Sequence, residues 1–261
     1  MEPTKLVEAS DLLFDLWMQG QRIAELPPAL RPATRAEGYK IQSLLELRSA
    51  RKLFGWKIAA TSGAGQRHIG VDGPLAGRLL AERVIENHGV CPLAGNFMRV
   101  AELEFAFRMS EDIAPRPQGY SLQEVMARVA TLHPAIEIPD SRFERYEMVG
   151  APQLIADDAC ADRFLLGPAS PEAWRSLNLA TQEVRGAIND VPWGPGIGRN
   201  VLGDPCIALT WLINELSQQG VILRAGEVVT TGTCLPPGPI TSGDRVRGNF
   251  GMLGEVSMTL A

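Results

Sequence analysis

Two glutamates separated by a single residue are the part of this sequence with the clearest chemical potential. Glu102 and Glu104 lie in the alternating segment 100–108, and in a β-strand their side chains would point to the same face. Residues two apart in a strand are about 6.7 Å apart at the backbone, so both carboxylates can reach one cation. The pair therefore predicts half of a site for a hard metal ion. Spacing alone favours the simpler interpretation of a half-solvated strand, with charges outside and apolar residues inside, and the rest of the chain shifts the balance toward a metal site.

A lone lysine is the second candidate for chemistry. Lys57 is the last lysine of the chain, and it lies within the apolar segment 56–60. Burying a cation is costly unless a partner compensates its charge, so a lysine in such a segment is a good candidate for a functional site. The structural alternative is a lysine at the end of a strand whose amine reaches solvent.

Cysteine and histidine spacing argues against a soft-metal site. The four cysteines have no Cys-x-x-Cys spacing and the three histidines are unpaired: Cys91, Cys160, Cys206, Cys234, His68, His88 and His133. This pattern predicts neither a zinc site nor a disulfide framework. Any bound metal must therefore be held by oxygen.

Composition excludes some classes of partner. The 261 residues carry a net charge of -5, and no cluster of Lys and Arg suggests a nucleic-acid surface. The N-terminus lacks the pattern of a signal peptide, and no apolar run approaches about 18 residues. We therefore predict a soluble, cytoplasmic protein without nucleic-acid or membrane partners.

The elements that must position these residues are N-terminal helices followed by strands. Periodicity and capping residues predict helices over 6–24, 34–55, 121–132 and 204–219, with capping boxes at Thr34-x-x-Glu37 and Ser121-x-x-Glu124 and with Gly55 as a C-cap. Three strands are predicted over 227–231, 244–249 and 255–260. The chain thus divides into a helical segment, 1–55, and a β-rich body, 56–261, which we expect to form one continuous domain.

The order of several motifs resembles one enzyme family. In chain order they are Glu37-Gly-Tyr39-Lys-Ile-Gln42, Gly55-Trp-Lys57-Ile-Ala-Ala-Thr61-Ser62, Gly70-Val-Asp72-Gly-Pro74-Leu-Ala-Gly77, Glu102-Leu-Glu104, Glu137-Ile-Pro-Asp140-Ser-Arg142 and Gly243-Asp244. The series resembles the 2-keto-4-pentenoate hydratase and 4-oxalocrotonate decarboxylase group of the fumarylacetoacetate hydrolase superfamily, over nearly the whole chain. The resemblance implies an α+β fold, with a β-rich, roll-like body of mixed sheets and N-terminal helices.

The resemblance also implies the parts of an active site. It places a divalent metal ion, Mg²⁺ or Mn²⁺, on Glu102, Glu104 and Glu137, and oxygen ligands suit both ions. It gives Lys57 a catalytic role in proton transfer or in stabilising negative charge. The implied reaction adds water to a 2-hydroxy-2,4-dienoate of the 2-keto-4-pentenoate type, giving a 4-hydroxy-2-oxo acid, in the catabolism of aromatic compounds.

The chain departs from its relatives near the expected substrate. Many relatives have Ala-Asp-Asn-Ala-Ser where this chain has residues 156–160, Ala-Asp-Asp-Ala-Cys, and they often have an acidic residue in place of Leu75. We expect Asp158, Cys160 and Arg142 to contact the substrate. An acid and a thiol in place of an amide and a hydroxyl must change the hydrogen bonding there.

Three other hypotheses stay open. A 4-oxalocrotonate-type decarboxylase would use nearly the same site but needs a cation for a second carboxylate; Arg142 and Arg163 are the nearest cations in sequence, whereas Asp157 and Asp158 would repel it. An acylpyruvate hydrolase needs a base, commonly histidine, and no histidine lies in a suitable motif. A catalytically silent partner of an active paralogue has no physical need for the charged residues. We predict hydration, by a homo-oligomer.

Overall fold

The computed structural model describes residues 1–261. Helices dominate the N-terminal part of the chain, and the first strand begins at Gly55. The α-helices are α1 (Pro3–Gln19), α2 (Arg35–Ser43), α3 (Gly63–His68), α4 (Leu122–Met126), α5 (Ala151–Ala156) and α6 (Pro205–Gln218). The strands are β1 (Gly55–Ala59), β2 (Leu75–Leu79), β3 (Val84–Ile85), β4 (Val90–Cys91), β5 (Val100–Met109), β6 (Val129–Ile138), β7 (Arg163–Leu166), β8 (Glu183–Ile188), β9 (Val191–Ile197), β10 (Val228–Thr233), β11 (Gly238–Pro239), β12 (Arg245–Asn249) and β13 (Glu255–Leu260). None of the helices combines the length and the apolar character needed to cross a lipid bilayer.

The strands form two mixed sheets. The larger has the order β2-β1-β10-β5-β6-β7-β3, with β11 also pairing with β5, and the smaller has the order β4-β13-β12-β8-β9. Three pairs are parallel, β1 with β10, β3 with β7 and β4 with β13, and the other pairs are antiparallel. The long strands β5 and β6 are central, so each is hydrogen-bonded on both edges. This arrangement has the expected α+β class.

The core lies between the two sheets and receives the apolar face of β5. The rings of Phe105 and Phe250 meet edge to face, with their centroids 5.3 Å apart. Gly248 permits the close approach, because a Cβ at this position would lie 2.8 Å from Leu103 Cδ2. Burying these alternate residues of β5 against the second sheet turns Glu102 and Glu104 to the opposite face.

The N-terminal helices are shorter than the sequence predicts. Helix α1 ends at Gln19, and its C-cap, Gly20, has a left-handed φ of 63°. Helix α2 begins after the predicted N-cap Thr34, but it ends at Ser43. The prediction of Gly55 as a helix C-cap was wrong, since this residue begins β1. A Cβ at Gly55 would lie 1.9 Å from the carbonyl oxygen of Val228, so glycine allows the close pairing of β1 with β10.

The later predictions had different outcomes. The capping box of Ser121 and Glu124 forms, but the helix it begins, α4, ends at Met126 rather than continuing to 132. Val129 pairs with Met109 of β5, so strand pairing overrides the local helical pattern. The prediction of α6 is confirmed, with Asp204 as its N-cap. The three C-terminal strands are confirmed to within two residues at each end.

Candidate active site

Three glutamates from the two central strands come together on one face of the larger sheet. Glu102 of β5 lies directly opposite Glu137 of β6 in the antiparallel register, and Glu104 is two residues further along the same face of β5. One carboxylate oxygen from each residue lies within 4.8 Å of those of the other two. The structure therefore brings together the three residues to which the family resemblance assigned a shared cation.

The cluster is buried on one side and open on the other. Glu104 and Glu137 have no exposed surface, whereas Glu102 is partly accessible. Glu102 and Glu104 therefore do not lie on an exposed strand face, because Glu104 is fully buried and only Glu102 is partly accessible. Only Glu102 gives a ligand from solvent a direct approach to the cluster.

Several oxygens of the cluster have no protein donor. Oε2 of Glu104 accepts hydrogen bonds from Thr230 Oγ1 at 2.5 Å and from the Gly232 N–H at 2.8 Å. Its Oε1 and the Oε2 of Glu137 are buried and accept no hydrogen bond, and Oε1 of Glu137 has only the ion pair with Lys57 Nζ at 3.1 Å. Buried carboxylate oxygens without partners are costly, and a bound cation would satisfy them.

The electrostatics of the cluster also favour a cation. Burial and the neighbouring Glu137 charge raise the pKa of Glu102 to about 7. Burial, followed by the charges of Glu137 and Glu102, raises the pKa of Glu104 well above its ordinary value, and burial also raises the pKa of Glu137. A divalent ion would offset both the desolvation and the mutual repulsion. An all-oxygen set of three carboxylates thus fits Mg²⁺ or Mn²⁺.

Lys57 is buried beside the carboxylates. Its side chain is 3% exposed, and Nζ lies 3.1 Å from Oε1 of Glu137 and donates a hydrogen bond to the carbonyl oxygen of Ala159 at 3.0 Å. Burial alone would lower the pKa of Lys57, but the charges of Glu137, Glu102 and Glu104 raise it above its ordinary value. The ammonium group therefore stays protonated while the carboxylates are charged.

A tight packing arrangement fixes the position of Lys57. Gly77 faces Lys57 across the β1–β2 pair, and a Cβ there would lie 3.0 Å from Lys57 Cγ and 2.4 Å from the Asp158 carbonyl oxygen. Asp158, Ala159 and Cys160 all adopt left-handed backbone conformations, with φ of 54°, 51° and 62°. Such conformations are unfavourable for residues other than glycine, and here they direct the Ala159 carbonyl at Lys57.

A cavity of about 680 Å³ opens beside Lys57 and Glu102. Most of its wall is apolar, and its lining includes Lys57, Glu102, His68, Tyr146, Cys160 and Leu75. The wall carries no arginine, and Lys57 and Glu102 are its only Lys, Arg, Asp or Glu side chains. Leu75 extends the apolar surface of the wall.

Of the three residues expected to contact the substrate, the structure places only Cys160 on the cavity wall. Burial raises the pKa of its thiol to about 12, so the thiol stays protonated. Asp158 lies behind the wall: its Oδ1 accepts a hydrogen bond from the Arg78 N–H at 2.7 Å, and its Oδ2 has no partner. Burial raises the pKa of Asp158 to about 7.

Arg142 and Arg163 both point away from the cavity. Arg142 is buried in an ion pair with Asp157 and donates hydrogen bonds to the carbonyl oxygens of Asp140 and Ala161, each at 3.0 Å. It holds the loop after β6 and does not contact the cavity, contrary to the expectation from sequence. Arg163 lies on a separate cavity, with Nε 3.8 Å from Asp162 Oδ1.

Sequence patterns assign no role to two residues of the wall, His68 and Tyr146. His68 is an unpaired histidine in the sequence, and Tyr146 belongs to no recognisable motif. The two residues are 78 positions apart, so no local signal could have found the pair.

Comparisons with known proteins are consistent with this geometry. No family model matches the chain. A 2-hydroxyhexa-2,4-dienoate hydratase of Comamonas testosteroni is 32% identical over 245 residues, which cover 87% of this chain and 90% of the relative. The 2-keto-4-pentenoate hydratase 1 of Dechloromonas aromatica is 30% identical over 256 residues, covering 97% and 96%. A solved 4-oxalocrotonate decarboxylase of Pseudomonas putida, complexed with magnesium and adipate, has a TM-score of 0.90 at 23% identity and covers 100% of this chain and 99% of its own, which confirms the expected fold.

Proposed function

Because the chain belongs to the 2-keto-4-pentenoate hydratase and 4-oxalocrotonate decarboxylase family, we propose that it is a hydro-lyase acting on a 2-hydroxy-2,4-dienoate. It adds water to give a 4-hydroxy-2-oxo acid, a reaction of aromatic catabolism. The observation that carries the proposal is the cavity wall: it joins Glu102 and Lys57 at one place and has no other Lys, Arg, Asp or Glu side chain.

Glu102, Glu104 and Glu137 would hold the divalent ion, Mg²⁺ or Mn²⁺. Their unpartnered oxygens and raised pKa values support this assignment. When bound, the ion supplies a Lewis acid that draws electron density from the 2-oxygen of the substrate. Glu102 is the accessible member of the three, so it lies on the side of the cluster from which the substrate approaches.

Lys57 is the residue we assign to proton transfer. Its ammonium group has three N–H bonds, and the contacts with Ala159 and Glu137 use at most two of them. Nζ donates a proton to carbon 5 of the dienoate and regains one as the enol oxygen loses its proton, which gives a 2-oxo-3-enoate. Water then adds at carbon 4, and carbon 3 takes up a proton.

The apolar wall favours a substrate with an uncharged distal end. A dicarboxylate such as a 2-oxo-hexenedioate would need a cation at its far carboxylate. Arg142 and Arg163, the two cations near in sequence, are turned away from the cavity. Burying a second carboxylate against apolar side chains would therefore be unfavourable, and hydration of a monocarboxylate is favoured over decarboxylation.

A direct competition tests the proposal. The protein with Mg²⁺ is given 2-hydroxypenta-2,4-dienoate or a 2-oxo-hexenedioate, and water addition and CO₂ release are measured separately. We expect loss of the ultraviolet absorbance of the dienoate, formation of 4-hydroxy-2-oxopentanoate and little CO₂. Rapid CO₂ release without hydration would assign the protein to the decarboxylase branch, and inactivity on both substrates would favour a silent partner. The cytoplasmic location and the homo-oligomer stay predictions from the sequence.

A further inference from the structure

Two side chains on the cavity wall have no part in the chemistry described so far. His68 Nε2 lies 3.4 Å from the hydroxyl oxygen of Tyr146, and the two rings meet edge to face with centroids 6.2 Å apart at 73°. Both residues line the cavity that contains Lys57 and Glu102. Tyr146 is partly buried, whereas His68 is exposed to solvent.

Local packing holds the pair together from two separate segments. His68 ends α3, which Ser62 caps by accepting a hydrogen bond from the Gly65 N–H at 3.0 Å. Tyr146 begins a short 3-10 turn, Tyr146–Met148. The two segments also touch at Gly70, where a Cβ would lie 3.0 Å from the Glu147 carbonyl oxygen. The approach of the two rings is therefore supported by backbone packing next to them.

Three of the five titratable groups of the wall cannot supply a base for water. The five groups are Lys57, Glu102, Cys160, His68 and Tyr146. Lys57 Nζ is held by the Ala159 carbonyl and the Glu137 carboxylate, Glu102 belongs to the carboxylate cluster, and the Cys160 thiol is kept neutral by burial. The histidine and the tyrosine are the groups that remain.

The environment of Tyr146 determines how such a pair could work. Burial, with the neighbouring Cys160, Glu147 and Glu102, raises the pKa of the Tyr146 hydroxyl, so the hydroxyl is protonated at neutral pH. A neutral hydroxyl accepts a proton readily only if it passes its own proton on at the same time. The imidazole nitrogen of His68, when unprotonated, is a suitable acceptor for that proton.

We propose that Tyr146 and His68 activate the water that adds to carbon 4, an inference that rests on the proposed hydratase function. The bond between the water oxygen and carbon 4 forms as one O–H bond of the water breaks and its proton moves to the Tyr146 oxygen. The Tyr146 proton moves to His68 Nε2, and the π electrons between carbons 3 and 4 shift toward the 2-oxygen. Carbon 3 then takes a proton from Lys57, His68 releases its proton to solvent, and Lys57 regains one proton from solvent through the cavity.

Tyr146 is the catalytic residue in this step, and His68 is a positioning residue that acts through it. Proton transfer to the substrate carbons and removal of the proton from water thus take place at two different positions on the wall. Lys57 serves the substrate carbons, and the Tyr146–His68 pair serves the water. This division predicts that the two halves of the reaction can be separated by substitution.

The test compares Tyr146→Phe and His68→Gln with matched controls outside the cavity, Tyr120→Phe and His88→Gln. Each variant is incubated with 2-hydroxypenta-2,4-dienoate and Mg²⁺ in deuterated buffer. Proton NMR then measures deuterium entering carbon 5, above the rate without enzyme, separately from hydration at carbon 4. Melting temperature and Mn²⁺ affinity are measured for every variant.

We expect Tyr146→Phe to lower kcat for hydration by at least about a hundredfold, and His68→Gln by at least about tenfold, the scale of losing acid–base assistance. Deuterium entry at carbon 5 and KM should stay within about threefold of the wild type, as should both activities of the controls. Hydration by Tyr146→Phe within that range would overturn the inference, and so would a parallel loss of exchange and hydration. A wild type that exchanges but forms no hydrated product would instead overturn the proposed function, and the inference with it.

Discussion

Replacing Glu104 by Gln removes one proposed metal ligand and can leave the hydrogen bonds of that side chain in place. The same substitution at Glu137 also disturbs the contact with Lys57, so the two variants together test the metal site. In Glu104→Gln, the amide oxygen can keep the hydrogen bonds from Thr230 and Gly232, which places the NH₂ group where the unpartnered Oε1 lies. An amide nitrogen offers no lone pair to a cation. Loss of one charged ligand should lower Mn²⁺ affinity by at least about a hundredfold, which corresponds to about 2.7 kcal/mol.

The metal-free protein should respond in the opposite way at these two positions. Burial raises the pKa of Glu104, so its replacement removes an unfavourable buried acid and should leave the melting temperature unchanged or higher. Glu137 lies 3.1 Å from Lys57 Nζ, and Glu137→Gln leaves that buried ammonium with less compensation. Breaking a buried ion pair costs about 3–5 kcal/mol; we expect about 3, or roughly 6–12 °C in Tm, because Glu102 and Glu104 remain.

Two measurements on each variant check these expectations. Calorimetric titration with Mn²⁺ follows chelator treatment and dialysis, and thermal unfolding is recorded with and without Mn²⁺. At a concentration of Mn²⁺ about 100 times Kd, the wild type should gain about 2.7 kcal/mol of stability, and this gain should vanish in Glu104→Gln. Glu183→Gln, an exposed carboxylate outside the cavity, is the control. Unchanged Mn²⁺ affinity in Glu102→Gln, Glu104→Gln and Glu137→Gln would refute the assignment of the site.

Two further predictions concern Lys57 and Asp158. Lys57→Met should lower turnover by at least about a hundredfold with Mn²⁺ still bound, and a near-normal rate would leave this lysine only a structural role. Asp158→Asn keeps the acceptor for the Arg78 N–H and cannot ionise. The pKa of Asp158 is raised to about 7 in the folded protein, so its stabilising contribution is complete below the unfolded value near 4 and is lost as pH rises to 7. The stability of Asp158→Asn relative to the wild type should therefore rise across that interval, by up to about 3 kcal/mol in chemical unfolding, and a constant difference would contradict the raised pKa.

Local sequence patterns determined much of the framework around the site. Alternation in 100–108 put Glu102 and Glu104 on one face of a strand, because successive side chains of a strand point to opposite sides. The Asp204 cap and Pro205 fixed the start of α6 for an equally local reason, since capping satisfies backbone N–H groups within one turn. The series of motifs led to the family because each motif is readable without knowing the fold.

Long-range pairing decided what local patterns could not. The helix that begins at Ser121 ends early because Val129 pairs with β5, and Gly55 begins a strand because it must approach Val228 closely. In both places the residues near in sequence favour one structure and a distant strand imposes another. Local propensity is too weak, at less than about 1 kcal/mol per residue, to resist such pairing.

The site itself depends on tertiary structure. Glu102 meets Glu137 through the β5–β6 register, and Lys57 reaches them because Ala159 and Gly77 shape its surroundings. The direction of a long side chain is set by its nearest countercharge, which is why Arg142 lies with Asp157 and not in the cavity. The sequence alone determined which residue types are available for chemistry and the family to which they belong. Only the folded chain determined which of them share a cavity, because distance and burial arise from contacts between segments far apart in sequence.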